Sequence, residues 1–247
     1  MSIDTEADWV GLRKVGRIVR LTLDALEKRV KSGVTTAELD RVAAEIFAAF
    51  GARSAPADTY NFPGTVLLSV NDEIVHGIPG NRVLQNGDVV KLDVTAEKDG
   101  YVGDAARTVV IGPASDVAHR LARCARAAFV GALAVVRAGT PVREIGRTVS
   151  RLVVEQGFSV VPDLDGHGTG RQIHEPPVVP NVFHPRQRDI LTEGLVITIE
   201  PIISVGKTEA IEDDDGWTLR TRDGSLAAHY EHTLVVTRGR PILLTAA

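Results

Sequence analysis

Residues 89–111 read VVKLDVTAEKDGYVGDAARTVVI, a pattern that predicts a β-hairpin. Two runs rich in β-branched residues flank the Lys-Asp-Gly at residues 98–100, and Asp-Gly is a strong signal for a tight hairpin turn. If residues 98–99 form the loop, Asp93 lies directly opposite Asp104, and a shift of a residue or two makes the pair diagonal. In either register the two side chains come within about 5–8 Å of each other.

Asp93 and Asp104 are unusual in strands that are otherwise apolar. Aspartate is depleted in β-strands, and like charges placed opposite each other are destabilising. A solvated hairpin face is the ordinary explanation for such a pair, but the surrounding Val, Leu and Ile residues leave little polar face for these strands. A buried carboxylate pair must be protonated, paired with a cation or bound to a metal. The hairpin therefore predicts a positive group between the two acids.

The composition restricts what that positive group and the partners of the chain can be. The 247 residues carry a formal net charge of −4 without a cluster of Arg and Lys, which argues against nucleic acid as a partner. A single cysteine, Cys124, excludes an internal disulfide and a thiolate zinc cluster, so any metal site must use His and carboxylates. The acidic N-terminus lacks the apolar core of a signal peptide, and no run reaches the roughly 18 apolar residues of a membrane span. These features predict a cytoplasmic protein with no membrane partner.

The rest of the chain predicts helices and short strands around the hairpin. Apolar residues at helical spacing predict an amphipathic helix over residues 5–31 and a second helix over residues 35–50, which begins at a Thr cap. The remaining predicted elements are, in order, a turn over residues 55–64, a buried strand over 66–70, a bend-rich connection over 71–80, a helix over 115–137 and a helix between Gly139 and Gly157.

Two pairs of segments repeat along the chain at one offset. GVTTAELD from Gly33 compares with GTPVREIG from Gly139, and NGDVVKLD ending at Asp93 compares with EGLVITIE ending at Glu200. The offset is about 106 residues in both comparisons, which indicates an internal repeat. A pseudo-two-fold pairing of the repeats would bring Asp93 and Glu200 towards a shared axis, a natural place for a metal.

The repeat defines the expected domain organisation and fold class. We expect one α+β domain, residues 1–247, made of two pseudo-symmetric halves over about residues 5–111 and 112–240. In each half, helices precede short antiparallel strands and an acidic hairpin.

The segment HYEHT at residues 229–233 adds a further acid. Alternation along a strand puts Glu231 on the face opposite Tyr230 and His232, so Glu231 points inward if the histidines point outward. His229 and His232 are then expected behind the ligands or at the surface, rather than among the ligands.

The other histidines differ as candidates for chemistry. His167 lies in DGHGTG, where glycines let the backbone approach closely and deny the ring an apolar pocket. His174 follows seven residues later, and His76 lies in the bend-rich connection. His119, in a predicted helix, and His184, in a predicted loop, are expected at the surface.

One imidazole and four carboxylates form the predicted metal-binding set. Such a set, dominated by oxygen, is suited to a dinuclear divalent site of Mn²⁺, Co²⁺ or Fe²⁺, with Zn²⁺ as a further option. Two such ions activate water and polarise a carbonyl oxygen together, which is a route to amide hydrolysis. The candidate ligands are Asp93, Asp104, His167, Glu200 and Glu231.

Five stretches of this sequence resemble motifs of the methionine aminopeptidases in their short bacterial type I form, a family of pita-bread metallopeptidases. They are NDEIVHGIPG, GDVVKLDVTAEKDGYVGDAARTVVIG, GHGTGRQIHEPP, GLVITIEPI and DGWTLRTRDGSLAAHYEHTLVVT, and the similarity extends over nearly the whole chain. The resemblance implies the α+β pita-bread (creatinase/aminopeptidase) fold, in which helices cover an antiparallel sheet. It also implies removal of the N-terminal methionine from nascent proteins and peptides by metal-activated water.

The resemblance implies a role for each candidate residue. Asp93, Asp104 and Glu231 would bind two divalent ions, with Asp104 and Glu231 bridging them. His167 and Glu200 would complete the set of ligands of one ion, and Glu200 would also accept the water proton. The substrate-side histidines would be His174, which would hydrogen-bond the scissile carbonyl, and His76, which would contact the peptide nitrogen.

The resemblance also implies a pocket for the methionine side chain. Leu67 stands where Cys or Thr is common in bacterial members, and Ile173 stands where an aromatic residue is common. A single methylene changes discrimination by only about 1–3 kcal/mol, so a preference for methionine is expected but its strictness is left open. The matching positions are Thr59, Phe62, Leu67, His76, Ile173, His174 and Trp217.

Two alternatives to this reading stay open. An aminopeptidase of the same fold could prefer a different first residue, as the Xaa-Pro type does, although the extra N-terminal domain of that type is missing here. A pita-bread module could also have lost its metal and serve as a binding surface, but such modules lose ligands that this chain retains. The expected partners are the N-terminal Met of nascent chains and, as a further candidate, the ribosome exit region, and the expected oligomeric state is a monomer.

Overall fold

Five helices pack against antiparallel sheets in the computed structural model, which describes residues 1–246. The helices are α1 (Glu6–Arg29), α2 (Thr36–Phe50), α3 (Ala55–Tyr60), α4 (Asp116–Leu133) and α5 (Arg143–Glu155). The strands are β1 (Arg53–Ser54), β2 (Leu67–Val70), β3 (Glu73–Val75), β4 (Val89–Lys98), β5 (Tyr101–Val110), β6 (Ser159–Val160), β7 (Gly166–Gly168), β8 (Glu175–Val179), β9 (Val196–Ile199), β10 (Ile202–Ser204), β11 (Ala210–Glu212), β12 (Leu219–Thr221), β13 (Ala227–His229), β14 (His232–Val235) and β15 (Ile242–Leu243).

Local capping explains where the first two helices begin. The Thr5 side chain accepts a hydrogen bond from the backbone of Asp8, and the Asp8 carboxylate accepts one in return from the Thr5 backbone. Thr35 and Glu38 form the same capping box before α2, and Gly51 ends that helix in the left-handed conformation. Both helices confirm the sequence prediction to within two residues at each end.

The β4–β5 hairpin forms as predicted, but the loop is Asp99 and Gly100 rather than residues 98–99. Both loop residues have positive φ, 54° and 80°, as the two central positions of a type I′ turn require. Lys98 therefore pairs with Tyr101, and the acids lie on a diagonal, with Asp104 opposite Thr95. The directly opposed register of Asp93 and Asp104 is wrong, because Asp-Gly itself occupies the loop.

Two larger sheets carry the residues of interest. In the first, β4 pairs with β1, β2 and β5, so that β4 is fully surrounded by strands. The second has the order β15-β14-β9-β7-β8. Smaller sheets with the orders β13-β10-β6 and β11-β12-β3 lie beside them, and all the strand pairs are antiparallel. The α+β class with antiparallel sheets and helices is confirmed.

Two apolar cores hold these layers together. One is formed by α1 and α2 against β2, β4 and β5, and it also takes in Val196, Val235 and Leu244 from the end of the chain. The other is formed by α4 and α5 against β9, β10, β13 and β14. The late residues in the first core tie the C-terminal part of the chain to the N-terminal helices.

Two local predictions differ from the structure. Residues 55–64, predicted as a turn, contain α3, because the Ser54 side chain accepts a hydrogen bond from Ala57 N and Pro56 lies in the first turn, where its missing N–H costs nothing. The connection over residues 71–80 contains the short strand β3. Within residues 1–246, no helix is long and apolar enough to cross a membrane.

Candidate metal centre

The hairpin brings the half-buried Asp93 carboxyl into contact with the buried Asp104 carboxyl. Thr95 donates a hydrogen bond of 2.9 Å to Oδ1 of Asp104 from the opposite strand. Burial and the neighbouring Asp104 carboxyl raise the pKa of Asp93 well above its usual range. Burial also raises the pKa of Asp104 to about 7, against the effect of its hydrogen bonds. Each acid therefore tends to retain a proton unless a cation lies nearby.

Glu231 reaches these acids because residues 230–232 run alongside β5. Ala106 and Glu231 exchange backbone hydrogen bonds of 3.2 and 2.9 Å. The Thr233 hydroxyl accepts a hydrogen bond from Asp104 N and donates one to Asp104 O. These contacts fix Glu231 beside the hairpin across 127 residues of sequence, counted from Asp104 to Glu231.

Thr198 joins His167 to Glu200. Its hydroxyl accepts a hydrogen bond of 3.0 Å from His167 N and donates one of 2.9 Å to Oε1 of Glu200. Nδ1 of His167 lies 3.0 Å from Gly168 O, which leaves Nε2 directed at Glu200, 3.4 Å away. Burial and the neighbouring His174 lower the pKa of His167 to about 4, so its ring is neutral near pH 7 and can act as a ligand.

Gly168 shows why this strand needs glycine beside His167. A Cβ at Gly168 would collide with the backbone carbonyls of Glu175 and Pro176 in β8. The close approach of β7 to β8 therefore depends on the missing side chain, as the DGHGTG pattern predicts.

The candidate ligands converge on one buried site. Ligand atoms of Asp104, His167 and Glu231 all lie within 4.8 Å of one another. Burial and the nearby carboxyl groups raise the pKa of Glu200 and of Glu231 well above the usual range. Oε1 of Glu231 is buried without a hydrogen-bond partner, although an acceptor in such a place needs one.

The donor set fits a divalent metal. Within residues 1–246, His167 and His229 are the only basic side chains in ion-pair contact with these four acids, and both have a lowered pKa. Neither ring therefore neutralises the acids near pH 7. Carboxylate oxygens and one neutral imidazole are a ligand set for divalent ions of the Mn²⁺, Co²⁺, Fe²⁺ and Zn²⁺ type.

His229 lies beside this cluster, so the structure places it with the acids rather than at the surface, the other position that the sequence left open. Its Nε2 lies 3.6 Å from Oε2 of Glu200 and 3.6 Å from Oε2 of Glu231, and neither ring nitrogen has a hydrogen-bond partner. Burial lowers the pKa of His229 to about 3. Strand alternation indicates this position, because His229 lies two residues before Glu231 and therefore on the same face of the strand.

His232 points to the opposite side of its strand, but it is buried rather than at the surface. Its Nδ1 lies 2.8 Å from the Thr245 hydroxyl, and its ring packs against Phe129. Of the two histidines predicted at the surface, His184 is exposed and His119 is half-buried.

The substrate-side histidines lie next to the metal-binding set. The ring of His174 lies 4.3 Å from the ring of His167, centroid to centroid, and both line a cavity of about 620 Å³. Burial lowers the pKa of His174, and burial together with His174 lowers the pKa of His76. His76 has a positive φ of 61°, a strained conformation for this residue type, at the point where the chain turns from β3 into Gly77.

The predicted pocket residues fall into three groups. Phe62 and Trp217 contact each other edge to face, with ring centroids 5.2 Å apart. Leu67 is buried opposite Asp93 across the β2–β4 pair. The third group consists of Thr59, Ile173 and His174, which line a cavity of about 220 Å³.

Tyr60 was not predicted and lies among these residues. Its hydroxyl is 2.7 Å from Nδ1 of His174. The sequence over residues 55–64 predicts only a turn, so it does not indicate that Tyr60 faces His174.

Comparison with known proteins agrees with this geometry. The sequence model of metallopeptidase family M24 matches residues 10–238. Methionine aminopeptidase 2 of Bacillus subtilis is 38% identical over 247 residues, covering 99% of each chain. The crystal structure of methionine aminopeptidase from Thermotoga maritima superposes with a TM-score of 0.96 at 32% identity over 100% of both chains. That of methionine aminopeptidase from Rickettsia prowazekii superposes with a TM-score of 0.94 at 35% identity, over 99% of this chain and 100% of the other.

The chain therefore belongs to metallopeptidase family M24, a family of metal-dependent peptide hydrolases. The predicted pita-bread fold is confirmed by the superpositions. Within the family, the full-length relatives group it with the methionine aminopeptidases, which are metallo-exopeptidases.

Proposed function

We propose that this protein removes the N-terminal methionine from nascent proteins and peptides, using two divalent ions. Asp93, Asp104 and Glu231 would hold the pair of ions, with Asp104 and Glu231 shared by both. His167 and Glu200 would complete the ligands of one ion. The observation that carries the proposal is the grouping of buried Asp104, Glu200 and Glu231 around neutral His167, with half-buried Asp93 beside Asp104. All four acids have raised pKa values, a charge arrangement that a divalent cation would stabilise.

The ion is Mn²⁺, Co²⁺ or Fe²⁺, with Zn²⁺ as a further candidate. Four carboxylates and one imidazole make an oxygen-rich set, and no thiolate takes part. Bound divalent ions lower the pKa of water and polarise a carbonyl oxygen.

The residues around the ions divide the work of peptide hydrolysis. Glu200 accepts the proton of the attacking water at a carboxylate oxygen, and Thr198 orients that carboxylate through its hydrogen bond of 2.9 Å. His174 donates a hydrogen bond to the scissile carbonyl oxygen, where negative charge develops. His76 contacts the peptide nitrogen on the leaving side. Binding of the free α-amine in the same site restricts cleavage to the first residue.

The methionine side chain binds against apolar groups near the histidines. In this proposal the Phe62–Trp217 pair would form one wall of the pocket. Thr59 and Ile173, which line the cavity beside His174, and Leu67, opposite Asp93, would form the rest. A thioether packs well against aromatic rings, so this lining favours methionine.

The protein acts as a cytoplasmic monomer near the ribosome exit region, where its substrates emerge. The single buried cysteine suits a reducing compartment. Its single domain consists of two pseudo-symmetric halves, residues 5–111 and 112–240, each of which supplies acids to the site.

The test is hydrolysis of Met-Ala-Ser, Leu-Ala-Ser and Ala-Pro-Ser by metal-stripped protein, alone and with Mn²⁺ or Co²⁺. Metal-dependent release of Met, abolished in Asp104→Ala, is the expected result. Release from Leu-Ala-Ser or Ala-Pro-Ser in place of Met-Ala-Ser would reassign the first-residue preference. Inactivity with every metal would leave a binding module and overturn the proposal.

A further inference from the structure

Tyr60 makes a direct contact with the ring of a substrate-side histidine. Its hydroxyl oxygen lies 2.7 Å from Nδ1 of His174, and the two ring centroids are 5.8 Å apart at an interplanar angle of 38°. Within residues 1–246, Tyr60 is the only hydrogen-bond partner of the His174 ring. The Tyr60 hydroxyl is therefore the one hydrogen-bonding group among the described residues that orients this ring, which also packs against the ring of His167.

The chemistry of the two groups sets the direction of this hydrogen bond. A phenol titrates near pH 10, and burial raises the pKa of Tyr60 further, so its hydroxyl keeps its proton at neutral pH. A neutral His174 ring has one nitrogen free to accept a hydrogen bond, and Nδ1 is the nitrogen that faces the Tyr60 hydroxyl. An imidazole nitrogen is a much stronger base than a phenol oxygen. The arrangement O–H···Nδ1, in which Tyr60 donates, is therefore favoured over the reverse.

A neutral imidazole that accepts at Nδ1 carries its proton on Nε2. We propose that Tyr60 is a positioning residue that holds His174 in the Nε2–H tautomer. Nε2 then presents a donor to the carbonyl oxygen of the bond to be cleaved, which is the role of His174 in the proposed function on which this inference rests. In the opposite tautomer Nε2 would present a lone pair to the same oxygen and repel the developing charge.

Helix α3 explains how Tyr60 is held in place. Ser54 caps the start of this six-residue helix, and Tyr60 is its last residue. Asn61 follows in the left-handed conformation and donates its N–H to Ala57 O, which ends the helix there. Tyr60 as a whole is 43% exposed, so its hydroxyl can be removed without opening the core.

The test is Tyr60→Phe, which keeps the ring and removes the hydroxyl. The tautomer is read from the ¹⁵N chemical shifts and one-bond N–H correlations of His174 in metal-free, ¹⁵N-histidine-labelled protein. The wild type should carry its proton on Nε2, and Tyr60→Phe should give averaged shifts of a tautomer mixture. Tyr230→Phe is the matched control, because the hydroxyl of Tyr230 contacts His232 rather than His174. It should leave the His174 signals unchanged.

Kinetics of the metal-loaded protein give the second readout. The loss of one neutral hydrogen bond behind the ring should lower kcat for Met-Ala-Ser by about fivefold to tenfold, with KM within about twofold. A proton on Nδ1 in the wild type, or a Tyr60→Phe variant with unchanged tautomer and unchanged kcat, would overturn the proposal. The tautomer is measured without metal or substrate, so wild-type protein inactive on methionine peptides would refute the proposed function without deciding the tautomer.

Discussion

Asp104→Asn should make the metal-free protein more stable near neutral pH, although it removes a metal ligand. The wild-type carboxyl is buried among three other acids, and an Asn amide oxygen can still accept the hydrogen bond from Thr95. The variant therefore removes a charge that the metal-free fold tolerates poorly and keeps the local contact.

The sign and size of this stability difference follow from the pKa of Asp104, which is about 7 in the folded chain against an ordinary value of 3.8. Between these two pH values the folded state binds a proton that the unfolded state has lost, so wild-type stability falls as pH rises from about 4 to about 7. At about 1.4 kcal/mol per pH unit the total loss is about 4 kcal/mol, of which about 3 kcal/mol falls above pH 5. Asn does not titrate, so its advantage over the wild type should grow by about 3 kcal/mol between pH 5 and pH 7.5.

Urea unfolding of the two EDTA-treated proteins at pH 5.0, 6.0, 7.0 and 7.5 measures this difference. The buried histidines have lowered pKa values and oppose the trend in each protein, but their contribution cancels in the comparison. Saturating Mn²⁺ should remove most of the difference at pH 7.5, because a ligand at 100 times its Kd adds about 2.7 kcal/mol to the protein that binds it. A difference that is flat or shrinks from pH 5.0 to pH 7.5 would refute the assignment of a buried, proton-holding acid at Asp104.

Three further variants test other parts of the site. His229→Leu should weaken Mn²⁺ binding by about 10–100-fold in calorimetric titration, because it removes the ring nitrogen between two ligand carboxylates, and an unchanged Kd would contradict this. Gly168→Ala should lower the stability by about 1–3 kcal/mol, seen as a reduced Tm, since its Cβ meets backbone of β8, whereas Gly80→Ala, with open space around it, should leave Tm within about 1 °C. Phe62→Ala should raise KM for Met-Ala-Ser by about tenfold with a smaller change in kcat, because it removes the edge-to-face partner of Trp217, and an unchanged KM would exclude Phe62 from the pocket.

The sequence was informative where one physical cause dominates a local segment. Capping boxes at Thr5 and Thr35 define the starts of the long helices, and the apolar residues around the hairpin acids predicted an environment that buries Asp104 and half-buries Asp93. The register of the hairpin was harder to predict, because it depends on which two residues form the loop with positive φ. Asp99 and Gly100 both do, and this choice moves Asp104 from opposite Asp93 to opposite Thr95.

Other features depend on contacts between distant parts of the chain, which local patterns do not encode. The short helix α3 has only six residues and a proline, so its propensity is weak, and its capping and packing form it instead. Tyr60 could not be recognised before that helix placed it beside His174. The position of His229, unlike that of Tyr60, could be predicted from local pattern, because strand alternation puts His229 on the same face as Glu231. The general tendency of histidine to lie near the surface favoured the other interpretation.

The pairing of Glu231 with β5 has a consequence for synthesis of the protein. A chain made from its N-terminus can close the Asp93–Asp104 hairpin as soon as those strands leave the ribosome, because the hydrogen bonds between its two strands are local in sequence. The backbone bonds between Ala106 and Glu231 must wait for more than 120 further residues, as the sequence numbers require. Until then the two aspartates stand together without their later partners. Uptake of metal by a growing chain should therefore come in the last stage of translation and mark the moment at which the segment around Glu231 has paired with β5.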